Sequence, residues 1–472
     1  MGLKQIIKRL ENARGSFWQW LVAILAFCFL RRLLDLMLEA DYYETLIPTN
    51  FIRNYVLWYV GAFLAIALIL HLATREKIEK TTKAAFVFWP LILLVPVIDF
   101  FFSGGQGYIL TFIGGCDFWQ EFFSFFGYLG SHHFTYGQTI ASMLGLLLIL
   151  VYTFIKTSSI KRMFAAGLLF YLAGYFFASL PVFFPPAIFS FSLFALVIAE
   201  ATVWHACIGL KKLKELLGNF HWLRSAHYLG LLSAGFIIFM AYFSGHSINT
   251  QALLFALSVS FFAFQGALIM NNLHDNKRID YDSKKYKSLG ALFILLSITA
   301  ASFVNTTFFL VTLTALLLSL AYSFPPIRFK RFGYWNNSLI GLESALAFTA
   351  GFTSQNPNIK LLPLNIFLAV FVIFSIASNI KDLKDYKQDK KEGIKTIPVI
   401  LGKEKSIRAL ALLTSLCFPL SIAMLGFWQL FMTSVVFGAL NGVLLLKFKT
   451  EKTVFACYFA FLMVLGYWLL FL

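Results

Sequence analysis

Two short clusters of polar and acidic side chains interrupt an otherwise apolar chain. The first reads Asn271-Asn272-Leu273-His274-Asp275, and the second runs from Lys381 through Asp382, Asp385 and Asp389. Asn271 and Asp275 are four residues apart, as are Asp385 and Asp389. On a helix, positions i and i+4 share one face one turn apart. Each pair therefore offers two oxygen ligands from one helix end. Magnesium is held by one or two carboxylates, water and substrate phosphate rather than by a closed protein cage. Two such pairs facing each other would hold Mg²⁺, and the metal would hold a diphosphate. A single acidic i,i+4 pair often simply faces water. Two pairs, each at the end of an apolar run, are more informative, because carboxylates at membrane depth are costly.

The elements that must position these groups are transmembrane helices. The 472 residues are 59% hydrophobic, 18% aromatic and 13% charged, whereas a soluble domain is about half apolar and a quarter charged. Apolar runs of about 20 residues, long enough to span a bilayer as helices, recur along the chain. In the C-terminal half they fall near 227–244, 252–271, 289–304, 307–324, 338–353, 362–380, 407–425, 427–446 and 453–471. Basic residues collect after the second, fourth, sixth and eighth of these runs, and the intervening loops are nearly uncharged. The positive-inside rule then places every even loop, and both acidic clusters, in the cytoplasm. The net charge of +17 would suit a nucleic-acid partner, but the Lys and Arg sit mostly in short loops between apolar runs. There they orient helices and favour anionic headgroups or phosphate substrates, so a nucleic-acid role is rejected. The cysteines Cys28, Cys116, Cys207, Cys417 and Cys457 show neither zinc nor disulfide spacing.

The N-terminal half suggests about six spans, near 17–38, 51–72, 84–103, 137–155, 163–181 and 187–208. Its basic amphipathic start, with no small-residue cleavage site after the first apolar run, predicts an uncleaved first helix. For the charged loops to agree, residues 104–135 stay on the outer face as a folded or re-entrant segment carrying Asp117, Glu121, His132 and His133. Residues 209–226 alternate Leu with Lys and predict an amphipathic cytoplasmic join. The expected organisation is therefore 1–208, a membrane bundle of unassigned role; 209–226, a join; and 227–472, the domain that carries the chemistry.

Asp385 to Gly402 (DYKQDKKEGIKTIPVILG) resembles the second aspartate motif of the UbiA superfamily of intramembrane prenyltransferases. Tyr322 to Arg331 (YSFPPIRFKR) resembles that family's YSxPPxRLK stretch. The first motif departs from the usual NDxxDxxxD: Asn271 and Asp275 fit, Asn272 replaces an Asp, and the last acid comes one residue late at Asp280, with Asp282 beyond it. A second register pairs Asn272, Asn276 and Asp280; the first keeps a carboxylate at the metal-facing position. The resemblance covers about 220–472. It implies an all-α polytopic membrane protein, with a nine-helix UbiA-like bundle and an extra N-terminal bundle of about six helices.

The resemblance further implies that Mg²⁺ on Asn271, Asp275, Asp385 and Asp389 grips the diphosphate of a polyprenyl donor. The allylic group then passes to a small acceptor, either an aromatic or quinone precursor or a lipid. Lys277, Arg278, Arg328, Lys330 and Lys395 are candidate diphosphate clamps, and the competing role for Lys277, Arg278 and Lys395 is that of positive-inside loop charge. Tyr322 faces the allylic cation or serves as an interfacial belt residue. Glu343 stands alone in an apolar run and is expected to face the cavity, where it orients or deprotonates the acceptor, or else bonds a neighbouring helix. Phosphoribosyl transfer to a polyprenyl phosphate on the same fold, or a non-enzymatic transporter or lipid scaffold, are the alternative readings.

Overall fold

The computed structural model describes residues 3–12, 17–38, 49–106, 112–115, 117–131, 133–218, 220–243, 247–274, 283–323, 328–329 and 333–471, and these form helices without a strand. The chain divides into two compact units, Met1–Asn219 and Phe220–Leu472. The first holds α1 (Leu3–Glu11), α2 (Phe17–Leu38), α3 (Thr49–Thr74), α4 (Ile78–Phe88), α5 (Leu94–Phe102), α6 (Phe118–Phe122), α7 (Tyr136–Thr157), α8 (Ile160–Ala178), α9 (Leu180–Phe183), α10 (Phe189–Ile208) and α11 (Leu210–Gly218). The second holds α12 (Trp222–Tyr242), α13 (Thr250–His274), α14 (Ser283–Ser302), α15 (Thr306–Ser323), α16 (Gly333–Thr353), α17 (Leu364–Ala377), α18 (Asn379–Glu392), α19 (Ile397–Leu401), α20 (Lys403–Leu425), α21 (Phe431–Phe448) and α22 (Glu451–Phe471).

Eleven helical segments among the described residues are long and apolar enough to cross a membrane. With α2, α14, α16 and α22, the long rods fall where the apolar runs predict them. The protein is an all-α, multi-pass membrane protein.

In the first unit, α2 carries charge inside its apolar surroundings. Arg31 and Asp35 are 1% and 2% exposed and pair at 2.9 Å. The Tyr55 hydroxyl donates to Asp35 at 2.7 Å, and Arg31 Nη1 donates to the Ile92 carbonyl at 2.6 Å. A buried ion pair persists only when its remaining lone pairs and protons are satisfied in this way. Asp99 of α5 accepts from the Thr135 hydroxyl and the Gly137 N–H, both at 2.7 Å, and so caps the start of α7. The segment between α5 and α7 holds no crossing helix among its described residues. It is tied down instead: Tyr171 and Tyr175 of α8 donate to the carbonyls of Phe122 and Phe118, and Ser131 donates to the buried Glu121. His133 meets Asp117 at 3.1 Å, while His132 lies outside the described residues.

In the second unit, small residues set how closely helices approach. A Cβ on Gly235 of α12 would overlap the Phe348 carbonyl of α16, and one on Gly351 of α16 would overlap the Leu232 carbonyl of α12. Gly438 of α21 meets the Ser415 carbonyl of α20 in the same way. These contacts bring α12 and α16, and α20 and α21, together as pairs. Between the pairs lies a cavity.

Candidate active site

The cavity has a volume of about 810 Å³ and is lined by residues of α12, α13, α15, α16, α17, α18, α20, α21 and α22. Its walls are mainly Leu, Ile, Val, Ala and Phe. Its polar groups include Arg224, Asn271, Tyr322 and Lys381, near the end where α13 and α15 finish and α12 and α18 begin.

Helix α18, which carries the second acidic cluster, is braced rather than free. Asn337 of α16 donates through Nδ2 to Asn379 at 2.6 Å and to Asp382 at 3.0 Å, and its own carbonyl accepts from Ser378 at 3.0 Å. Asp382 is 3% exposed. Lys381 donates to the Tyr322 hydroxyl at 3.2 Å and to Asn336 at 3.4 Å, and its ammonium stands 5.5 Å from the Tyr322 ring centre. The helix stops at Gly393, whose φ of +72° puts it in the left-handed region that favours glycine. The chain then folds back, and the Thr396 hydroxyl approaches Asp389 at 3.4 Å. Asp385, one turn before Asp389, is exposed, and Asp389 is half-buried.

Asn271, near the end of α13, lines the cavity, and its side-chain carbonyl oxygen is buried with no hydrogen-bond partner. A buried carbonyl without a donor is a ready ligand for a hard cation. Asp275, Lys277, Arg278 and Lys330 lie outside the described residues. Among the described residues no three acidic, His or Cys side chains form a metal cage. Lys395 is exposed beyond the Gly393 turn, and Arg328 is half-buried at a φ of +43°.

Glu343 of α16 faces the cavity, as its lone position in an apolar run predicts. Ser319 donates to its Oε1 at 2.8 Å and Tyr228 to its Oε2 at 3.3 Å. Each carboxylate oxygen retains a further lone pair. Arg224 and Glu451 pair across α12 and α22 at 3.3 Å. The sequence reading placed Lys381 and Asp382 in the second acidic cluster without giving either a role, and it did not reach Tyr228 or Ser319. Asp382 had a signal, because it precedes Asp389 by seven residues and so shares its helix face. Lys381 resembled any positive-inside lysine, and nothing marked Tyr228 or Ser319.

The fold and site define an intramembrane helical bundle with an acidic helix docked at one end of an apolar cavity. Residues 280–466, within the second unit, match the family model described as the UbiA prenyltransferase family, and this match supports membership of the UbiA superfamily. The 33 kDa chain of bacteriochlorophyll synthase from Rhodobacter capsulatus is 29% identical over 140 residues, which are 28% of this chain and 45% of that relative. Homogentisate phytyltransferase from Synechocystis sp. is 26% identical over 141 residues, again 28% of this chain and 45% of the relative. The chain thus spans less than half the length of these curated relatives. A solved UbiA homologue from Archaeoglobus fulgidus, bound to DMAPP and Mg²⁺, aligns at 19% identity with a TM-score of 0.42, covering 52% of this chain and 96% of that one.

Proposed function

We propose that the second unit transfers a prenyl group from a polyprenyl diphosphate to a small acceptor, with Mg²⁺ and from the cytoplasmic side of the membrane. One observation carries this reading: an acidic helix is docked by Asn336 and Asn337 at the polar end of a long apolar cavity, into which Lys381 and the unpartnered carbonyl of Asn271 face. The apolar walls suit the prenyl tail, and the polar end suits the diphosphate. Mg²⁺, when bound, neutralises charge on the departing pyrophosphate as a Lewis acid.

The chain's own residues supply the rest. Asn271, Asp275, Asp385 and Asp389 would hold the metal, and the bracing by Asn337 fixes the direction in which α18 presents its acids. Lys381, Arg328, Lys330, Lys277, Arg278 and Lys395 add cationic donors for phosphate oxygens. The bond from prenyl carbon to diphosphate oxygen breaks, and its electron pair leaves with pyrophosphate. The acceptor nucleophile forms the new bond to that carbon and loses a proton. Glu343 takes that proton, and Ser319 and Tyr228 hold its carboxylate in place. The Tyr322 ring, with the Lys381 ammonium 5.5 Å from its centre, is assigned to face the allylic cation. We assign the reaction to residues 227–472, together with Arg224 of α12 at the polar end of the cavity, and leave 1–208 and the rest of the join at 209–226 outside the chemistry.

The test is pyrophosphate release by the purified full chain. Release is expected only when Mg²⁺ and a prenyl diphosphate are both present, with an EDTA-treated sample at background and turnover rising when an acceptor is added. Release that is indifferent to EDTA would overturn the reading.

A further inference from the structure

A second polar group in the same cavity takes no part in the steps above. His227 of α12 is 7% exposed, lines the cavity, and has its Nδ1 buried without a hydrogen-bond partner. The Tyr458 hydroxyl of α22, also in the lining, is buried and unpartnered as well. The two rings lie 5.7 Å apart, centre to centre. Phe374 of α17 approaches His227 at 4.8 Å and Tyr458 at 5.6 Å, and Phe455 approaches His227 at 5.6 Å. Buried polar groups in folded proteins are satisfied as a rule, so two unsatisfied ones in a single cavity wall point to a ligand that completes them.

The surroundings constrain that ligand. Rings from three helices meet at tilted and edge-on angles, an arrangement that accepts the edge or face of another ring. The cations among the described lining residues are Arg224 and Lys381. Arg224 is paired with Glu451, and Lys381 is engaged by Tyr322 and Asn336. An anionic group placed against His227 and Tyr458 would therefore be buried without its own counter-charge, whereas a hydroxyl or carbonyl would not. The site also adjoins the reaction centre. The His227 ring lies 5.1 Å from that of Tyr228, whose hydroxyl donates to Glu343.

We propose that His227 and Tyr458 anchor the acceptor, and that the acceptor is a flat ring bearing an uncharged hydroxyl or carbonyl group. The proposal rests on the prenyl-transfer reading. It adds which wall of the cavity selects the acceptor and by what chemistry. A ring held there is delivered beside the Tyr228–Glu343 pair that receives its proton.

The experiment uses the purified full chain with Mg²⁺, geranylgeranyl diphosphate as donor probe, and two acceptor probes that share one ring system. These are 1-naphthol, uncharged at neutral pH, and 1-hydroxy-2-naphthoate, which adds a carboxylate. Prenylated 1-naphthol is expected as the better product. Tyr458→Phe and His227→Phe should each raise the KM for 1-naphthol about 10-fold or more, the loss expected when a site built to bond a hydroxyl loses its partner. The KM for the donor and the pyrophosphate released without acceptor should stay at wild-type values. His227→Asn, which retains a hydrogen-bonding side chain, should recover part of the affinity, and an unchanged melting temperature in Tyr458→Phe controls for folding. An unchanged acceptor KM, an equal rise in donor KM, or preference for the carboxylate probe would each overturn the subsite while leaving prenyl transfer intact. No Mg²⁺-dependent pyrophosphate release from the wild type would overturn the prenyl-transfer reading, and the subsite with it.

Discussion

Asp385→Ala and Asp389→Ala are each expected to lower Mg²⁺-dependent pyrophosphate release by about 10²–10³-fold, the scale on which a lost electrostatic contact to a departing anion acts. Neither change should unfold the protein. Asp385 is exposed and Asp389 half-buried at the far end of α18, and exposed substitutions away from a packed feature cost about 0.5 kcal/mol or less. Asp382 differs, because it is 3% exposed and tied to Asn337. Asp382→Ala should lower both activity and melting temperature, since it removes the brace that aims the other two acids. Activity is read by a coupled pyrophosphate assay and folding by a melt in detergent. Near-normal turnover in purified Asp385→Ala would sink the metal assignment.

Glu343→Gln separates the two roles that a lone intramembrane carboxylate can play. The amide oxygen of glutamine can still accept from Ser319 or Tyr228, so a purely structural hydrogen bond between helices survives the change. A proton acceptor does not. Loss of a positioned general base lowers turnover by about 10²–10⁴-fold, and that range is the expected drop in prenyl product. Pyrophosphate released without acceptor should change little, because it does not draw on this proton transfer. Product formation within about twofold of wild type, far short of the loss of a base, would assign Glu343 to helix packing alone.

Most of the helical frame was legible from the chain's apolar runs. Long spans bounded by basic loops have few ways to be satisfied in lipid, and the rods from α12 to α22, α18 and α19 excepted, sit within a few residues of the runs that predict them. The local parts of the site were legible too. Asp385, Asp389 and Gly393 form one helix end, where i,i+4 spacing and a left-handed cap are sequence-level facts. What spacing could not show is convergence across helices. Asn337 bonds Asp382 from 45 positions away, and Tyr228 reaches Glu343 from 115. His227 and Tyr458 lie in apolar runs rich in phenylalanine, where an aromatic residue reads as membrane filler until the neighbouring helices are in place. Lys381 illustrates the converse case. As one of many loop lysines it carried no signal, and only its contact with Tyr322 gives it a position in the cavity.

The central claim is that the acidic end of α18 and Asn271 of α13 share one diphosphate through divalent metal. Its most direct test is a structure of the full chain with Mn²⁺, a paramagnetic and anomalously scattering stand-in for Mg²⁺, and a non-cleavable geranylgeranyl thiolodiphosphate. The account predicts metal density between Asn271 and the Asp385–Asp389 face, with the diphosphate at the polar end of the cavity and the tail among its apolar walls. Metal and diphosphate bound elsewhere, or a diphosphate seated in the cavity with no metal near Asp385 and Asp389, would contradict it.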